Sequence, residues 1–229
     1  MSFERVKNCF GKEHTMTKTQ QFVILIFALC CLVANTACGD RLILIPTGST
    51  LGTAGLKGEY AANSDTDGKI YWVNLGVSKL ELEGARFTDF GNTEDTDVIS
   101  AQIAVLPETS FTPAVALGVR DISDETKHLG LPYEGRSLYL AVSKSVPLTG
   151  GVPVLFQDMR VHGGIGTEGL GGFFFGVEGT LPIGIHVIGE YDTEDFNWAA
   201  IYRIAGPLQA KVSSVKGDMY YGALFSIGF

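Results

Sequence analysis

The chain has 229 residues, a mean hydropathy of +0.20, 45% hydrophobic residues and only 18% charged ones, yet beyond the N-terminal region no apolar run reaches the ~20 residues that a membrane helix needs. A formal net charge of −8 argues against a nucleic-acid partner on electrostatic grounds. Glycine, at 29 residues, exceeds ordinary usage and recurs inside alternating segments, which suits close-packed or curved strands better than helices.

The N-terminus reads as an address. Gln21–Val33 is an apolar core of signal-peptide length, preceded by Lys18 and followed by small residues. Residues 1–39 are therefore expected to form a signal peptide with an N-terminal extension, Met16 being the more ordinary initiator. Ala37-Cys38-Gly39 offers a cleavage site before Asp40. A lipidated Cys38 is the alternative, disfavoured because Asn35 stands where a lipobox carries leucine. All four cysteines, Cys9, Cys30, Cys31 and Cys38, fall in this stretch, so the mature chain is expected to hold no disulfide and no thiol metal site. Residues 40–52, including Arg41–Leu51 interrupted by Pro46, read as a short periplasmic leader.

From 53 to 229 the chain parses into about twelve segments in which apolar residues recur at every second position, the period of a strand with one oily face. Thr53–Ala61 puts Leu56 and Tyr60 on that face and Lys57 and Glu59 on the other. Lys69–Ser78 shows Tyr71, Val73, Leu75 and Val77. Leu80–Asp89 begins with Leu80 and Leu82 outward, Glu81 and Glu83 inward, then breaks parity at Arg86, predicting a bulge near Gly84. Asp97–Leu106, Thr112–Asp121 and Arg136–Ser145 continue the pattern, with Arg120 inward and Lys144 snorkelling at the interface.

Met159–Thr167 turns Arg160 and His162 inward, Gly172–Leu181 does so with Phe174 and Glu178, and Gly184–Asp192 with His186 and Glu190. Phe196–Ala205 carries Trp198, Ala200, Tyr202 and Ile204 outward with Asn197 and Arg203 inward, and Leu208–Lys216 turns Gln209 and Lys211 inward. The last segment, Met219–Phe229, alternates Tyr221, Phe225, Ile227 and Phe229 against smaller residues, the pattern of a terminal assembly signal in outer-membrane barrels. Segments of nine to eleven residues match the length of a tilted bilayer-crossing strand. Short turns alternate with polar loops, although 146–158 falls on the short side.

A soluble sandwich also alternates, but its outward face carries many lysines and glutamates. Here the non-oily face is sparse and diluted by Gly, Ala and Ser, as in the interior of a closed cylinder whose backbone leaves no edge to lipid. Tyr71, Tyr191, Trp198, Tyr202 and Tyr221 supply part of an interfacial aromatic girdle. The expected fold is all-β, a single antiparallel up-and-down transmembrane β-barrel in the bacterial outer membrane. The candidate lumen charge cluster is Arg120, Arg160, His162, Glu178, His186, Glu190, Arg203 and Lys211, with Glu178, His186 and Arg203 in one cross-strand row. Because neither sign dominates, a salt-bridged interior filling is favoured over a selective constriction. No nucleophile elbow, metal-spaced histidine pair or phosphate loop occurs, so neither catalysis, cofactor nor metal is expected.

Pro113–Asp124 (PAVALGVRDISD), Gly135–Lys144 (GRSLYLAVSK) and Gly171–Ile204 carry a resemblance to the YjbH-like family of bacterial outer-membrane proteins, which is associated with exopolysaccharide production. The shared grammar is Ala-Leu-Gly-Val-Arg-Asp, then the Leu-Ala-Val-Ser-Lys strand, then the Gly-Glu-Tyr-Asp hairpin, within a resemblance running from Trp72 to Phe229. It implies an accessory role in exopolysaccharide secretion or envelope maintenance. Longer members carry additional sequence, whereas this chain has room for one compact barrel. The expected partners are outer-membrane lipid, the barrel-assembly machinery, and polysaccharide or secretion proteins. A general small-solute channel and a soluble periplasmic β-domain binding glycan or protein are the alternatives.

Overall fold

A computed structural model describes residues 41–90, 94–127, 135–148 and 155–228. Residues 1–39, where the signal peptide is expected, Cys38 among them, and Phe229 lie outside them. Twelve strands follow one another: β1 (Ala54–Asn63), β2 (Lys69–Val77), β3 (Leu80–Thr88), β4 (Thr96–Leu106), β5 (Ala114–Arg120) and β6 (Ser137–Ser145). The second half comprises β7 (Asp158–Gly166), β8 (Gly172–Thr180), β9 (Ile185–Tyr191), β10 (Phe196–Ala205), β11 (Leu208–Val215) and β12 (Asp218–Gly228), with a 3₁₀ turn at Glu168–Leu170. Each strand pairs antiparallel with its sequence neighbours, and β1 pairs with β12 from Gly55↔Gly228 to Asn63↔Tyr220, closing the barrel. Each expected segment coincides with one strand to within two residues at either end.

The faces follow sequence parity. Val73, Leu75 and Val77 of β2, Ile99 and Ile103 of β4, and Leu138 of β6 are exposed outward, whereas Ile70, Trp72, Asn74, Glu81, Ser100 and Gln102 are buried inward. An exposed apolar band around a closed sheet is the surface that a hydrocarbon solvent selects. Its rim on the side of the 64–68 and 192–195 loops is aromatic. Tyr60 and Tyr71 lie 5.2 Å apart, and Phe175, Tyr191 and Phe196 form a cluster with centroids 4.9 to 6.1 Å apart. Tyr221 and Trp198 are also exposed outward on this half, and Tyr202 is exposed nearer the opposite rim. Lys144 reaches the carbonyls of Ser110 and Thr112 at the short-turn edge, as a snorkelling lysine would.

Two expectations are corrected. β3 keeps an unbroken register with β2 and β4, so no bulge forms near Gly84. Arg86 simply points outward at the loop-side rim, where Asp95 at 3.3 Å and Asp97 at 3.7 Å meet its charge. The register shifts lie instead at Ala104/Leu106 and Arg203/Ala205.

The second correction concerns the leader. Arg41–Leu51 is a plug within the barrel. Arg41 bridges to Pro46, and Leu42 N–H donates to the Ile45 carbonyl at 2.9 Å, making a tight hairpin whose tip is Ile43-Leu44-Ile45. The tip packs against Trp72, Phe87, Phe174, Leu170 and Tyr220, all 3% exposed or less, and together they fill the loop-side half of the lumen. A run as apolar as Leu42–Ile45 gains by leaving water, roughly 25 cal/mol for each Å² buried. That explains why it folds inward instead of trailing in solvent.

Candidate functional site

The lumen divides into three tiers. At the plug tip, β9 supplies Glu190, whose carboxylate accepts the N–H groups of Ile43 (2.9 Å), Leu44 (2.8 Å) and Ile45 (3.4 Å) and the Asn197 amide at 3.2 Å. Arg120 of β5 donates to the Leu44 carbonyl from the far wall. The tip is thus held from opposite sides by one acid and one base.

In the middle tier Arg41 is the hub. It donates to Glu59 at 3.1 Å, to Glu83 at 2.9 Å and to the Ile43 carbonyl at 2.8 Å, with its guanidinium 3.9 Å from the Trp72 ring centroid. Lys211 meets the other Glu59 oxygen at 2.6 Å. These charges are almost fully buried, so each depends on its partners.

The third tier opens toward the short turns. There a vestibule of about 1050 Å³ lies below the plug, bordered by Arg41, Leu42 and Thr47 of the hairpin, by Lys57 of β1 and by the short-turn ends of the walls from β6 to β12. Its chemistry centres on Glu178. His162 Nε2 lies 3.2 Å from one carboxylate oxygen and His186 Nε2 2.9 Å from the other. His162 Nδ1 stands 2.7 Å from Ser143 Oγ, and Ser143 Oγ accepts the Gly48 N–H of the plug at 2.7 Å. Thr180 Oγ lies 3.1 Å from His186 Nδ1. Arg160 donates to Ser49 Oγ at 3.3 Å and to Glu108 at 3.0 Å, tying the plug's return limb to the 107–113 connection. Burial alone would raise the Glu108 carboxyl, but hydrogen bonds from the Ser145 N–H and hydroxyl, and the Arg160 guanidinium, outweigh it and hold the group below its ordinary value.

The structure divides the residues expected to form one lumen cluster among these tiers. Glu178, His186 and His162 come together, with Arg160 and Arg203 on the same cavity wall. Glu190 and Arg120 hold the plug tip, and Lys211 belongs to the middle tier. Arg203 stands off the Glu178–His186 row because the register pairs His186 with Ile201. The plug ligands themselves, Arg41, Gly48 and Ser49, carry no periodic signal. The one hint in the sequence is an apolar Leu42–Ile45 run too oily for a free leader.

A closed twelve-strand antiparallel barrel with an apolar exterior and a polar, plugged interior defines the class: a membrane-type β-barrel. No protein-family model matches the chain, and no curated protein does. Among solved structures, one described as "KdgM porin in complex with disordered oligogalacturonate" is similar over 76% of this chain and 99% of that chain, at 8% identity and a TM-score of 0.46.

Proposed function

We propose that the chain is a small outer-membrane barrel channel for small solutes, closed at rest by its own Arg41–Leu51 hairpin. The observation that carries this reading is how the plug is held. Its tip seats in an apolar tier against Glu190, and its return limb is secured by discrete polar bonds to Ser143, Arg160 and Gln102, all of which can be exchanged for water without dismantling a strand. Below it, the vestibule has the volume of a small-molecule site. The apolar outer band and aromatic rim support a bilayer setting, with lipid and the barrel-assembly machinery as partners, and the reading needs no catalytic step.

In planar bilayers the purified full chain should conduct rarely. A variant lacking 41–51, or Arg41→Ala combined with Glu190→Gln, should conduct steadily. Heat-modifiable, folded barrel that stays silent after the plug is freed would refute the channel.

The resemblance to the YjbH-like family supports a second reading, an accessory in exopolysaccharide secretion. A deletion strain that loses exopolysaccharide while its small-solute permeability is unchanged would select that reading over the first.

A further inference from the structure

We infer that the His162–Glu178–His186 cluster is a proton-operated latch on the plug, set from the vestibule; this rests on the closed-channel reading. A carboxylate only accepts hydrogen bonds, so both imidazoles present Nε2–H to Glu178. In neutral His162 the remaining Nδ1 is then an acceptor, and the Ser143 hydroxyl must donate to it. Ser143 Oγ is left to accept the Gly48 N–H. The result is a directed chain running from the plug backbone through Ser143 and His162 to Glu178, with every donor and acceptor assigned.

Access is graded along this chain. The His186 side chain is 30% exposed and that of Glu178 18%, whereas that of His162 is 0% exposed and Ser143 is wholly buried. Protons arriving from the vestibule therefore meet the outer pair first and reach His162 through it. Once His162 carries a second proton, its Nδ1–H donates toward Ser143. Ser143 Oγ then accepts from both Nδ1–H and the Gly48 N–H, its buried hydroxyl proton is left without an acceptor, and a turn of the side chain toward a new acceptor breaks the Gly48 bond. The charged groups sharing the vestibule push the same way. Arg41, Lys57, Arg160 and Arg203 border it against Asp158 and Glu178, so added positive charge on the cluster repels Arg160, the group that holds Ser49. These two ties on the return limb weaken together, while the Gln102 bond to the Ser49 carbonyl and the Glu190 hold on the tip are untouched.

The test is amide exchange in the full chain, folded in lipid nanodiscs, comparing Gly48 and Ser49 with Ile43–Ile45 as an internal reference. A step from about pH 7.5 to about pH 5 spans ordinary imidazole titration. Protection at Gly48–Ser49 should fall about tenfold relative to the tip, the scale of one net hydrogen bond. His162→Gln and Glu178→Gln should remove that pH response, and Ser143→Ala should give low protection at both pH values. An unchanged response in folded His162→Gln barrel, or none in the wild type, overturns the latch. Conductance recorded on the same proteins separates the two readings. Acid that loosens Gly48 without raising conductance sinks the channel and keeps the latch, whereas acid opening that persists in His162→Gln does the reverse.

Discussion

Single side chains decide how firmly this barrel is closed. Glu190 is 2% exposed and accepts three consecutive plug N–H groups, so Glu190→Ala would leave three buried donors without their acceptor. At about 1–3 kcal/mol for a buried group left unsatisfied, partly relieved by relaxation, the loss should be about 3 kcal/mol or more, read as a lower urea midpoint of tryptophan fluorescence. Glu108 behaves differently with pH. Its carboxyl is held below the ordinary value, so its contribution is complete above the unfolded carboxylate range, near 4.3, and disappears as pH falls through the folded value. Exchange of the Ser145 amide should therefore accelerate only in strong acid, and Glu108→Gln should abolish that acid dependence. Among the inward residues, the sequence made the Glu178–His186 contact legible because both lie on one short hairpin. The contact with His162 is legible only once β7 and β8 are placed in register, and Arg203 is displaced by where that register falls.

Strands and plug differ in how far their causes lie along the chain. Each strand announces itself locally, through alternation and turn chemistry, and Phe196–Ala205 and its neighbours form where the pattern puts them. The hairpin Arg41–Leu51 is determined by partners such as Glu190, 147 residues away from Ile43, and no local period reports them. Gly48 is where this element depends most on its residue type. A Cβ there would stand 2.5 Å from the Ala114 carbonyl oxygen and 2.6 Å from the Ser143 nitrogen, both backbone atoms that cannot swing aside. Gly48→Ala should push the return limb off the β5–β6 wall and raise bilayer conductance with the barrel still folded. Gly84, on the outer face, has nothing within 4 Å of an added Cβ. Gly84→Ala should be neutral or stabilise by up to about 1 kcal/mol in the same denaturation assay.

At the scale of the whole molecule the deciding question is which solvent wets the outside. Val73 sits midway along β2, 56% exposed, and pairs with Gly58 and Gly84. In water Val73→Arg would be nearly free; at a bilayer midplane it should cost about 2–4 kcal/mol. Folding yield into vesicles against yield in detergent measures the difference. The same picture bears on how the plug can leave. Its two limbs, at Arg41–Leu42 and at Thr47, both border the same mouth, so the hairpin is laid into the cylinder like a finger and is not threaded through it. Mechanical force along the cylinder axis would withdraw it with every strand seam intact, including the one that joins β1 to β12. Pulled singly, the protein should yield first in a short, low-load, reversible extension, well before the staves part.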